Sequence, residues 1–211
     1  MVVADHQAAG RGRLGRTWEA PPGSSLLLTV LLRPALDATR LHLVTMAVAL
    51  AAADACRDAA GFSPQLKWPN DLVVEDRKLA GILAEASFEG SVVRWVVVGV
   101  GVNVNWPADL PAELADIAVA ANHVAGRSVD RELLLVELLK RLDVRYAALG
   151  SVVTDYRAQC ATIGRDVRVE LPGEVVMGHA VDVDDDGHLL VDTGRTVRTV
   201  AAGDVIHVRP Q

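Results

Sequence analysis

Aromatic residues are scarce: eight of 211, or 4%, so aliphatic and alanine packing must fill the core and each tryptophan has to be accounted for. Only two cysteines occur, Cys56 and Cys160, far apart in the chain, which excludes a disulfide scaffold and suits reduced thiols in a cytoplasm. No apolar run approaches the roughly 18 residues of a membrane span, and the N-terminus has neither the basic nor the apolar part of a signal peptide, so no membrane association is expected. Positive charge is also in deficit. The net charge of -6 opposes a general nucleic-acid or anionic-membrane binder, because both need a positive field. Lysine is the rarest cation, with three residues, and Lys67 and Lys78 fall within one short segment.

What the chain does contain is ordinary globular material, 51% hydrophobic and 23% charged, which excludes disorder by composition. Leu26 to Leu32 reads as a buried strand. Asp37 to Ala60 reads as a helix, with Leu41, Val44, Val48 and Ala51 at helical spacing, Asp37 as its cap and Gly61 as its stop. From Leu66 to Phe88, short strands alternate with turns in a hairpin-like pattern, and Val92 to Val102 is a further strand leading into Gly-Val-Asn-Val-Asn105. A helix is expected over Asp130 to Leu149, with Leu134, Leu138, Leu142 and Tyr146 on one face. After Gln159 the texture changes to valine-rich strands broken by glycine turns. The expected fold class is α+β, a mixed sheet with helices over 1–159 followed by a small β-barrel over 160–211.

Arg11, Arg13 and Arg16 concentrate charge: without these three the -6 total becomes -9, so they form a focused anion site or a solvated basic loop. Gly10-Arg-Gly-Arg-Leu-Gly15 has the letters of a dinucleotide fingerprint, but Pro21 and Pro22 stop the helix that such a loop must open. Alternating glycine and arginine make a loop that is costly to order when empty and that an anion such as a triphosphate or acyl phosphate would fix. Trp18 at its edge suits stacking on a base or shielding an intermediate. Lys67-Trp-Pro-Asn-Asp71 is unusually polar beside buried strands, though it also reads as a β-turn. Lys78, heading an apolar strand, either snorkels or faces a ligand. Asp182 to Gly187 opens like a calcium loop, but its twelfth position is Thr193, so a hairpin turn is expected. The histidines lack metal-ligand spacing.

The ordered set Gln7, Gly10 to Trp18, Lys67 to Leu72, Arg77 to Glu85 and Gly99 to Asn105 resembles the biotin protein ligases, and the resemblance extends into a C-terminal domain that is SH3-like in that family. It implies an ATP-dependent ligase that joins biotin and ATP into biotinyl-5'-AMP and passes biotin to a lysine of the biotin carboxyl carrier domain of an acyl-CoA carboxylase. By the same resemblance Lys78, Arg13 and Arg16 are catalytic. Gln7, Gly10, Arg11, Gly12, Lys78, Gly81, Ile82 and Gly101 belong to the biotin site. Arg13, Arg16, Trp18, Lys67, Asn70, Asp71 and Asn103 belong to the ATP and adenylate site. Mg²⁺ is expected to arrive on the ATP phosphates, near Asp71, with no metal held by the protein alone. Family members carry a Ser-Thr-Asn strand and helix ahead of the glycine loop, so a segment before Met1 is expected to be missing; an N-terminally truncated, non-catalytic remnant and a lipoate-type ligase are the alternatives. A winged helix is absent, so no DNA-binding repressor role is expected, and the exposed edge of the sheet admits a homodimer.

Overall fold

The computed structural model describes residues 1–208. Six strands form the first sheet: β1 (Val2–Ala4), β2 (Ser25–Leu32), β3 (Gln65–Lys67), β4 (Asp71–Val74), β5 (Arg77–Glu89) and β6 (Val92–Asn103), in the order β1-β2-β6-β5-β4-β3. Neighbouring strands pair antiparallel; the mixed character is confined to two isolated parallel bridges, Leu66 with Cys160 and Lys78 with Ala118.

Alternation along these strands produces two unlike faces. Leu26, Leu28 and Val30 of β2, Val96, Val98, Val100 and Val102 of β6, and Ala80 and Ile82 of β5 are buried in one core. Helix α1 (His42–Ala60) packs there. Fifteen of its 19 residues are buried, because α4 (Arg131–Ala147) covers its other side, and its many alanines let the layers approach closely. Gly61 ends α1 in the left-handed conformation at φ 83°, donating to the carbonyls of Cys56 and Arg57. The helix begins later than its sequence pattern suggests. Asp37 supplies no side-chain cap, since a 3-10 turn over Ala38–Arg40 comes first and its closing bond, Arg40 N to Asp37 O at 2.9 Å, uses the Asp37 backbone.

Asp130 does cap α4, accepting from the amides of Glu132 and Leu133. Leu134, Leu138 and Leu142 form its buried stripe. Replacing Leu138, 0% exposed, by alanine should cost about 2–5 kcal/mol, read as a fall in Tm; a Tm within a degree of wild type would remove α4 from the core.

Short helices α2 (Ala112–Ala115), α3 (Ala121–Ala125) and α5 (Val152–Gln159) complete the first layer. Strands β7 (Asp166–Leu171), β8 (Glu174–Val183), β9 (Leu189–Asp192), β10 (Val197–Val200) and β11 (Asp204–His207) form a second, antiparallel sheet in the order β10-β9-β8-β7-β11. The Asp182–Gly187 segment ends β8 and turns into β9, with the Asp184 carboxylate accepting from the amides of Asp186 and His188. Its Gly187 carbonyl accepts from the buried Trp68 indole at 2.9 Å, fastening the small sheet to the first domain. Among the described residues no helix is long and apolar enough to cross a membrane.

A cationic cleft with a glycine floor

The sheet face opposite α1 carries the cleft. Strand register aligns Ala4, Leu27, Gly101, Gly81 and Asp71 in one cross-strand row, and Val2, Thr29, Gly99 and Leu83 in the next. Over them lies a cavity of about 470 Å³.

The glycine-arginine loop closes its roof as a miniature hairpin. Trp18 N donates to Gly10 O at 3.0 Å, Gly12 N to Arg16 O at 2.7 Å, and Arg16 N to Arg13 O at 3.1 Å. At the apex Leu14 and Gly15 both take positive φ, 54° and 75°, a conformation that strains leucine but not glycine. Gly10 must be glycine because a Cβ there would run into the Trp18 carbonyl. The stem lowers the Trp18 indole onto the glycine floor: a Cβ on Gly101 would lie 2.6 Å from the ring, and one on Gly81 3.0 Å. The indole nitrogen is buried there without a hydrogen-bond partner.

A β-bulge puts Lys78 into the cleft. Strand β5 pairs Gly81 with Asp71 and Ala80 with Leu72, then skips so that Lys78 pairs with Val73. Strict alternation from Gly81 would send Lys78 into the core; the extra residue, Leu79, takes that place at 0% exposure and turns Lys78 outward. Its ammonium pairs with Asp71 Oδ1 at 2.8 Å, off the line of an aligned hydrogen bond, and stands 5.7 Å from the Trp18 ring centre. Its backbone is held by Ile117 O, by Val119 N and by the Asn103 amide, which donates to Lys78 O at 3.2 Å and to Val119 O at 3.1 Å.

Arg13 donates to Asn70 Oδ1 at 3.1 Å and to Gly203 O at 3.3 Å, while Asn70 donates in turn to Ile82 O at 2.7 Å. Burial pushes the Arg13 guanidinium down from its ordinary value, against the pull of Asp71 and Asp204. Arg16 forms a bidentate pair with Asp204, whose hydrogen bonds and charge hold it above that value. Arg11 reaches Glu85 at 3.2 Å. The three acidic residues lining the cleft are thus each paired with a cation, and four cations converge on it.

Of the residues singled out from sequence, Gln7, Arg11, Gly12, Arg13, Arg16, Trp18, Asn70, Asp71, Lys78, Gly81 and Gly101 line one cavity. Ile82 borders it, but its side chain points into the core beneath α1. Three stand elsewhere. Gly10 shapes the loop stem. Asn103 is 2% exposed behind Lys78, outside the cavity lining, and braces the Lys78 backbone. Lys67 extends the row of Gly81 and Asp71 to the outermost strand, near His207, and so stands on the cleft face but beyond the cavity lining. Glu85 follows Gly81 and Leu83 at the strand period and was legible on that basis; Asp204, 188 positions from Arg16, carried no signal.

Residues 1–103 match the Biotin/lipoate A/B protein ligase family and residues 162–208 the biotin protein ligase C-terminal domain. The chain is 38% identical to biotin--[acetyl-CoA-carboxylase] ligase of Mycobacterium tuberculosis over 99% of its own length and 79% of the other. It is 32% identical to the bifunctional ligase/repressor BirA of Bacillus subtilis over 97% of this chain, and spans 65% of that protein's length. The biotin protein ligase of Aquifex aeolicus, solved in complex with biotin and ATP, superimposes with a TM-score of 0.84 at 26% identity, over 99% of this chain and 88% of that one. By fold, by cleft and by these likenesses, the chain belongs to the biotin protein ligase family.

Proposed function

We propose that the chain, in the cytoplasm, activates biotin with ATP and transfers it to a lysine of the biotin carboxyl carrier domain of an acyl-CoA carboxylase, residues 1–159 holding the reactants and 160–211 closing the site. The observation that carries this reading is the convergence of Lys78, Arg13 and Arg16 on a glycine-floored slot whose apolar part is Val2, Leu27, Leu83 and Trp18. Such a slot admits an apolar ring system with a carboxylate tail, and the cations admit phosphates.

In the first step a biotin carboxylate oxygen attacks the α-phosphorus of ATP and the bond to the bridging oxygen breaks, releasing pyrophosphate and leaving biotinyl-5'-AMP. Two anions must meet, so Lys78 bridges carboxylate and phosphate while Arg13 and Arg16 neutralise the charge on the phosphoryl oxygens. Arg16 must then exchange Asp204 for phosphate, which its exposed position allows. Asn70 fixes Arg13, and Asp71 holds the Lys78 ammonium in place. Magnesium fits as a companion of the triphosphate, since Asp71, Glu85 and Asp204 are each occupied by a cation. In the second step the neutral carrier amine attacks the anhydride carbonyl, forming the amide and releasing AMP. The loop and Trp18 exclude water until then.

Purified chain with ATP, Mg²⁺ and labelled biotin should release pyrophosphate, and added carrier domain should become labelled on lysine. Absence of pyrophosphate release above background would sink the proposal and leave a non-catalytic remnant. Efficient use of lipoate with no use of biotin would assign the chain to the alternative ligase class.

A further inference from the structure

One polar side chain on the cleft floor is unused by the chemistry above. Thr29 lies in the middle of β2, paired with Val2 on one side and Gly99 on the other, and lines the cavity half-buried. Its neighbours on that face are Val2, Leu27, Gly99 and Leu83, all apolar. Among the described residues no side-chain hydrogen bond engages its hydroxyl. Trp18 covers Gly101 and Gly81, whereas the Cβ position of Gly99 has only Leu83 O nearby, at 3.8 Å, so the floor beside Thr29 stays open.

We infer that Thr29 is a specificity-determining residue whose hydroxyl engages a ring heteroatom of the bound carboxylic acid, at the end of the slot remote from the reacting carboxylate. This rests on the reading of biotin as substrate. The Lys78 ammonium stands over Gly81, 3.2 Å from its Cβ position, and Gly81 and Thr29 are separated by two strand spacings and one row, roughly 12 Å. A heterocycle on an alkyl carboxylate spans that interval with its tail at Lys78 and its ring over Gly99. Between apolar neighbours a polar group sets orientation, because a ligand that cannot pair with it leaves a desolvated hydroxyl unsatisfied. A ring without a matching heteroatom gains nothing there, so the hydroxyl favours biotin over purely apolar acids of similar length.

Thr29→Val keeps shape and strand propensity while deleting the hydroxyl, and Thr29→Ser keeps the hydroxyl while deleting a methyl. Steady-state adenylation and calorimetric titration with biotin alone should show Thr29→Val raising KM and Kd for biotin about 5- to 10-fold, with KM for ATP within twofold of wild type and Thr29→Ser restoring biotin affinity. The inference is overturned if Thr29→Val binds biotin as wild type does, or if Thr29→Ser weakens binding as much as Thr29→Val, which would show that keeping the hydroxyl does not keep the affinity. Wild-type protein that neither binds nor consumes biotin would instead overturn the functional reading beneath it.

Discussion

Lys78→Ala should lower kcat for adenylation by about 10²–10³-fold, the loss typical when one preorganised donor is removed from a developing oxyanion. The ammonium sits in a cleft that also holds Arg13 and Arg16, but neither stands over Gly81 as it does: Arg13 is tied to Asn70 and Gly203, and Arg16 lies at the Asp204 side. The effect should fall on the chemical step. Biotin and ATP would each still bind, because the apolar floor and the arginines remain, so kcat should drop far more than KM rises. The variant should fold, since the Lys78 side chain is outside the core and its backbone is braced independently by Ile117, Val119 and Asn103. Single-turnover pyrophosphate release at saturating substrates, with Tm measured alongside, reads this directly. Release within tenfold of wild type would strip Lys78 of its bridging role.

The second large effect should come from a single methyl group. Gly101→Ala puts a Cβ 2.6 Å from the Trp18 ring, well inside contact distance, and the strand beneath is paired on both sides and cannot yield. The indole must leave its seat and the loop stem with it. Bound biotinyl-5'-AMP should then escape or hydrolyse about 10²-fold faster, the size expected for a displacement of an ångström or more at a closing element. A chase experiment with preloaded labelled adenylate measures this, and Trp18→Ala should behave similarly. The double variant decides the mechanism: if Gly101 acts by seating Trp18, adding Gly101→Ala to Trp18→Ala should change little. Wild-type retention by folded Gly101→Ala would show that the indole is not the lid.

Much of the architecture is legible in the sequence. Strands β2 and β6 and helices α1 and α4 follow from apolar period, and Gly61 and Asp130 mark helix ends by local backbone chemistry alone. Asp37 misled, because a 3-10 turn and a cap carry the same residue signature. The cleft was legible as a set of motifs, but not in its internal division of labour. Asn103 and Lys67 share the cleft face with their motif neighbours, but motif adjacency does not report that the Ile117–Val119 segment covers Asn103 or that Lys67 falls on the outermost strand.

The sequence by itself determined the parts: a cationic glycine loop that needs an anion to order it, a strand pair able to present bare backbone at Gly81 and Gly101, and a lysine at a strand head. Tertiary structure decided where each part points. One bulged residue, Leu79, turns Lys78 from the core to the cleft, and strand register brings Gly81 opposite Gly101 so that Trp18 can lie on both. The small domain brings Gly203 and Asp204 to the arginines across 190 and 188 positions of chain. Periodicity reports only neighbours within an element, whereas register, bulges and domain docking are settled by packing among elements distant in sequence.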